Sequence, residues 1–214
     1  SFFGSSSGWE NKVEMGKGRS AGIEFMAQKT AGKTTGWLSY TLSKSDRKFT
    51  KGGINNGEWF PYKYDRRHSI NLTINHKFSD RIDIGASWVF YTGGTSTIPE
   101  EKTTVIRPHN GANNGFLWYG TYDNTNSSPT IGDVSYIEHR NNFRLPASHR
   151  LNLGVNFNKK TKHGMRTWNI SLYNAYNAMN PAWVYRGHNK QGLSVIKKYT
   201  LLPLIPSFTY TYKF

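Results

Sequence analysis

Pro206-Ser207-Phe208-Thr209-Tyr210-Thr211-Tyr212-Lys213-Phe214 alternates without a break: aromatics stand at every even position from 208 to 214, small or charged residues at the odd ones. Successive side chains of a strand point to opposite faces, so the segment reads as a strand with one aromatic face and one polar face. At a soluble surface such a strand invites edge-to-edge aggregation. Against lipid the aromatic face is satisfied while the polar face lines a lumen, as in the strands of an outer-membrane barrel.

Six more segments repeat the pattern. Residues 21–30 put Ile23, Phe25 and Ala27 on one face and Glu24 and Gln28 on the other. Residues 36–45 set Leu38, Tyr40 and Leu42 against Ser39, Thr41 and Ser43. Residues 68–78 set Ile70, Leu72 and Ile74 against Asn71, Thr73 and Asn75. Residues 81–92 set Ile82, Ile84, Ala86, Trp88 and Phe90 against Asp83, Gly85 and Ser87. Residues 149–158 set Leu151, Leu153, Val155 and Phe157 against Asn152, Asn156 and Asn158. Residues 166–177 set Trp168, Ile170, Leu172 and Tyr176 against Asn169, Ser171, Tyr173 and Asn177. With 206–214 these make seven expected strands. Each is long enough for a tilted strand to cross a bilayer, whereas globular strands average about 5–6 residues.

The connections alternate as well. Short turns follow the first, third and fifth strands. Long loops occupy 46–67, 93–148 and 178–205, and residues 1–18 read as another outer loop. If Phe214 lies on the periplasmic side, every long loop faces the cell exterior. Loop 93–148 is too long for a compact soluble domain and is expected to hold its own hairpin, with residues 134–139 strand-like and leading into the fifth strand. Loop 178–205 is expected to pair 182–185 with 193–196. Seven strands do not close a bacterial barrel, and an open sheet in lipid leaves edge hydrogen bonds unmet. The expectation is therefore an all-β transmembrane antiparallel barrel, of which this is the C-terminal part of about 22 strands. With no secretory leader at Ser1, the chain reads as a piece of a longer polypeptide.

Composition agrees with that class. No run reaches the roughly 18 apolar residues of a transmembrane helix. Aromatics make up 15% of the chain, with 13 Tyr and 7 Trp, which suits interfacial girdles. The net charge of +15 raises nucleic acid first, but the 28 Lys and Arg are spread along the chain without a block of five, so no nucleic-acid partner is expected. They suit solvated loops and turns, or attraction to lipopolysaccharide phosphates. Cysteine is absent.

Chemistry-bearing residues are sparse. The seven His show no pair at ligand spacing, so neither metal nor cofactor is expected. No nucleophile–base constellation or phosphate-cradling glycine loop is present, and catalysis is not expected. The candidates are loop contacts. Arg66 and Arg67, within Asp65-Arg66-Arg67-His68, either orient a loop base or grip an anionic group with forked guanidinium donors. Trp59, Phe60, Trp118, Tyr119, Trp183 and Tyr185 fall in outer loops, where aromatics pack the loop or stack on a ligand such as a sugar ring.

Several stretches resemble a known family. Gly16-Lys17-Gly18-Arg19-Ser20-Ala21-Gly22-Ile23-Glu24-Phe25, Gly36 to Ser43, Asn56-Gly57-Glu58-Trp59-Phe60-Pro61 with Tyr64 to His68, and Tyr173 to Asn177 with Asn180-Pro181 resemble the late barrel of TonB-dependent receptors of Bacteroidota. The resemblance implies a 22-stranded outer-membrane barrel, with a plug and earlier strands contributed by the rest of the receptor. It implies import of a scarce solute (glycan, peptide, iron chelate or vitamin) driven by the TonB complex through that plug. In some members a surface lipoprotein acts as a lid. Phe208, Tyr210, Tyr212 and Phe214 resemble the C-terminal aromatic signal by which such barrels are assembled. Two other classes carry part of the pattern: a non-transporting barrel (adhesin or secretion scaffold), and a soluble carbohydrate-binding β-sandwich.

Overall fold

The computed structural model describes residues 13–107 and 130–214. The expected contacts Trp118 and Tyr119 lie outside the described residues. The chain divides into two compact units, Pro99–Glu138 and the remainder. In chain order the strands are β1 (Gly16–Lys29), β2 (Thr34–Phe49), β3 (Phe60–Pro61), β4 (His68–Lys77), β5 (Ile82–Tyr91), β6 (Thr95–Ser96), β7 (Glu101–Arg107), β8 (Thr130–Tyr136), β9 (Phe143–Arg144), β10 (Ser148–Thr161), β11 (Gly164–Tyr173), β12 (Pro181–His188), β13 (Ser194–Thr200) and β14 (Ile205–Lys213).

The fold is all-β and antiparallel. Its main sheet runs β1-β2-β4-β5-β10-β11-β14, with β3 added to the end of β2. Every neighbour in this order is the next long strand in sequence, as expected where a short turn or a loop returns the chain beside itself. Three smaller ladders complete it: β6–β9, the hairpin β12–β13 and, in the smaller unit, β7–β8.

Pairing register turns seven local alternations into one surface. Leu38, Leu72, Trp88 and Leu151 stand in one cross-strand row. Ile84, Val155, Ile170 and Phe208 form a second, and Ile82, Phe157, Trp168 and Tyr210 a third. A one-residue slip anywhere would throw a strand's apolar set to the other face, so the pattern fixes the register. The opposite face is polar and internally bonded. Asp83 accepts from Asn156 Nδ2 at 2.7 Å and from Asn158 Nδ2 at 2.6 Å. Asn169 Nδ2 donates to Asn156 Oδ1 and Thr167 Oγ1 to Asn158 Oδ1, both at 2.7 Å. One carboxylate thereby organises three strands through a ladder of amides.

The sheet is staggered as well as paired. The row that starts at Lys29, the last residue of β1, passes through Gly36, Ile74, Ala86, Leu153 and Leu172 to Pro206. Pro206 lies seven residues before Lys213, the last of β14. That is about one residue of offset per strand, which at about 3.3 Å rise and 4.8 Å spacing tilts the strands by roughly 40° to the line of their turns.

The apolar face does not enclose a core. Among the described residues the buried hydrophobic side chains are Phe60 and Ile98, neither of them on that face. Phe25, Ile170, Phe208 and Tyr210 are each about half exposed or more.

Several boundaries differ from the sequence expectation. Strand β1 begins at Gly16, inside the expected outer loop 1–18, and β2 runs to Phe49, inside the expected loop 46–67. Their charged ends stay in the ladder because strand pairing rests on backbone hydrogen bonds, and because Arg19 and Asp46 are cross-strand partners that form an ion pair. Likewise β10 extends to Thr161. The strand expected over 166–177 ends at Tyr173, since Asn174 and Asn177 take left-handed backbone angles (φ 53° each). In loop 93–148, β8 pairs with β7 rather than leading into the fifth long strand, and β9 pairs with β6. In loop 178–205 the hairpin register sets Trp183 opposite Tyr199, four residues further on than the expected pairing, with an irregularity between Pro181 and Trp183.

Candidate ligand-facing loops

The loops at the long-connection end are tied together by side chains that imitate backbone. Asn55, at φ 51°, is buried; its amide donates to the Arg140 carbonyl at 3.1 Å and accepts from the Arg140 N–H at 2.7 Å. Asn is among the few residues that tolerate the left-handed region. Asn142 makes the same two-way bond with Ile98, at 2.9 Å each way. Asn141 donates to the Pro61 carbonyl at 2.8 Å. These amides join segments far apart in sequence into one base.

At its centre lies Asp65, 2% exposed. Its Oδ1 accepts from the Ser45 backbone N–H at 2.6 Å. Its Oδ2 accepts from Arg144 Nη2 at 2.6 Å and Arg67 Nε at 3.2 Å. Arg144 Nη1 also donates to the carbonyls of Asp65 and Gly93, both at 2.9 Å. Burial pushes the Asp65 carboxyl upward, but the Arg144 bond, the Ser45 amide and the Arg67 and Arg144 charges outweigh it and hold the pKa below its ordinary 3.8.

This geometry places the sequence-derived candidates. Arg67 is committed to Asp65, and Arg66 lies over the Tyr91 ring at 4.0 Å, so both support the loop base. Phe60 is buried and stacks on Phe49 at 6.0 Å, a packing position. Trp59 carries the Arg19 guanidinium over its ring at 4.3 Å and keeps an exposed surface. These four gather beside β2, toward one edge of the sheet.

Trp183 and Tyr185 sit elsewhere, on the hairpin between β11 and β14. Trp183 stacks on Tyr199 with ring centroids 4.3 Å apart and planes 8° apart. Trp183, Tyr185 and Tyr199 are each nearly half exposed. A flat, exposed indole–phenol pair is a stacking platform for an apolar or sugar-like surface. Tyr199 lies beyond the 193–196 segment expected to pair with 182–185; the returning strand runs on to Thr200, and only the register puts Tyr199 opposite Trp183.

The hairpin's footing is a second amide knot. Asn174 is 1% exposed; it accepts from the Ala178 N–H at 2.8 Å and donates to the carbonyls of Ala178 and Leu202 at 3.0 and 3.1 Å. Asn177 accepts from the Leu204 N–H, and Asn180 exchanges two bonds with the His149 backbone. Between this knot and the apolar band, Tyr176 Oη is shared by Trp88 Nε1 at 3.1 Å and His149 Nδ1 at 2.8 Å. No protein-family model, curated protein or solved structure matches the chain.

Proposed function

We propose that this chain is the C-terminal part of a transmembrane β-barrel in the bacterial outer membrane, and that the barrel is a TonB-dependent receptor importing a scarce solute. One observation carries the membrane reading. Between Arg19 and Lys29 on β1, and between His149 and Lys159 on β10, the apolar face bears no Asp, Glu, Lys or Arg, and its neighbours continue that band across all seven strands. The ten residue steps from His149 to Lys159 extend about 33 Å, or about 25 Å along the membrane normal at a tilt of roughly 40°. Tilted, a band of this length suits the hydrocarbon thickness that a barrel strand faces.

Three further features support it. Aromatics with polar tips mark both ends of the band: Tyr40, Trp88 and Tyr176 at one, Trp168, Tyr210 and Tyr212 at the other. The stagger of about one residue per strand matches the 35–45° tilt of barrels. The amide-laddered face suits a lumen or a plug. The edges β1 and β14 each have one partner in the sheet, so strands from the remainder of the receptor complete the wall.

The receptor reading rests on the motifs that resemble the family. In it, the aromatic platform on β12–β13 contributes to solute capture or to contact with a lipoprotein lid, the plug couples to TonB, and the outward face meets lipopolysaccharide. The chain's own role is passive, and it is not an enzyme.

The test is electrophoresis of native outer membranes, unheated and boiled, detected with an antibody to residues 206–214. A boiled band several-fold above 24.4 kDa, with heat-dependent mobility, is the expected result. A band near 24.4 kDa released by a salt wash would mean a soluble or peripheral β-protein and overturn the membrane reading.

A further inference from the structure

The two ends of the apolar band treat charge differently. At the long-loop end its flanking cations, Arg19 and Lys44, share Asp46 at 3.0 and 3.5 Å. At the short-turn end Lys159 and Arg166 stand directly opposite each other across β10–β11, on the same face as Phe157 and Trp168 and one row beyond them. Arg166 in turn faces Tyr212 across β11–β14.

No carboxylate of the described residues answers this pair. Asp83 belongs to the opposite face and is held by Asn156 and Asn158. Asp80 lies in a turn and pairs with Lys77 at 2.8 Å. Like charges directly opposite in a ladder repel each other, and that repulsion turns favourable when an anion sits between them.

We propose that Lys159 and Arg166 bind the phosphate of an anionic phospholipid whose acyl chains run along Phe157, Trp168 and Tyr210. The inference rests on the membrane reading and adds a partner to it. A Lys stem and an Arg stem lie along apolar surface while their heads reach the phosphate level, and the Arg fork fits phosphate oxygens. The Trp168 ring, stacked on Phe208 (5.0 Å) and in tilted contact with Tyr210 (4.5 Å), supplies the apolar bed immediately above. A free phosphate would use the cations but not that bed, so the surface is assigned to lipid. At the other end, Asp46 already neutralises the cations, and the same lipid would meet a carboxylate.

The experiment reconstitutes the native, full-length polypeptide in nanodiscs of equimolar phosphatidylglycerol and phosphatidylcholine. Lipids retained on it are weighed by native mass spectrometry. In parallel, tryptophan quenching by acyl-brominated phosphatidylcholine reads insertion irrespective of head group. The expected result is strong quenching with selective retention of phosphatidylglycerol, reduced about fivefold for each charge removed in Lys159→Gln and Arg166→Gln. Quenching without head-group preference in the wild type would overturn the lipid site while leaving the membrane reading intact, and needs no variant to fold. Preference that survives in the double variant, or that inorganic phosphate abolishes, would also overturn it. Absence of quenching would overturn the membrane reading itself.

Discussion

Arg144 holds Asp65 at two points, donating from Nη2 to the carboxylate at 2.6 Å and from Nη1 to the backbone carbonyl at 2.9 Å. Seventy-nine residues separate the two in sequence, so this contact locks the loop before β4 to the segment before β10. Asp65→Ala leaves two guanidinium groups without their counter-charge and the Ser45 N–H without its acceptor. Arg144 and Arg67 are each about one-third exposed, which moderates the penalty. A loss of about 2 kcal/mol is expected, concentrated in these loops. Hydrogen exchange should rise at Ser45 and residues 62–67 while the centre of the main sheet is unchanged. Uniform exchange across both regions would count against a loop-locking role.

Acid should release the same lock, with a defined sign. The folded-state pKa of Asp65 is depressed, so its stabilisation is present above the unfolded value near 3.8 and is lost as pH falls through the lower folded value. Protease resistance of the loop base should therefore persist at pH 5 and decline only below about 4. Asp65→Asn should flatten this dependence. A loop that opens between pH 7 and 5 would require a different group.

Asn174 separates two contributions in one residue. Its left-handed φ of 53° favours Asn or Gly, and its side chain makes three bonds within the turn and to Leu202. Asn174→Ala loses both and should cost about 3 kcal/mol; Asn174→Gly relieves the backbone and should recover about 1 kcal/mol of that. Urea unfolding of the three proteins checks the order. Equal stability of the Ala and Gly variants would remove the backbone contribution.

The two faces should respond oppositely to charge. Leu153→Arg puts a cation in the middle of the apolar band and is expected to cost about 2–4 kcal/mol in a bilayer, with a matching fall in heat-modifiable protein. Ser171→Arg, on the laddered face, should be tolerated. If both variants insert equally well, the apolar face does not meet lipid.

Much of this protein is legible from its residues alone. The alternation of Leu151 to Phe157 against Asn152 to Asn158 is local, because a strand's side-chain period is two whatever it pairs with. The same holds for the terminal aromatic stripe and for the contrast between short turns and long loops. Strand ends were less legible. Arg19, Asp46 and Lys48 look like loop residues in isolation, but each lies in the β1–β2 ladder once a partner strand is present.

What only the tertiary structure decided is everything that depends on which residue stands beside which. Registration made a single band of seven stripes and set the stagger from Lys29 to Pro206. It put Tyr199 against Trp183, gave Asp46 to Arg19 and Lys44, and left Lys159 facing Arg166. Asn55 and Arg140, eighty-five residues apart, meet through side-chain bonds that no local pattern encodes. The physical reason is that periodicity belongs to one strand's backbone, whereas register, neutralisation and capping are pairwise and arise only when distant segments are packed together.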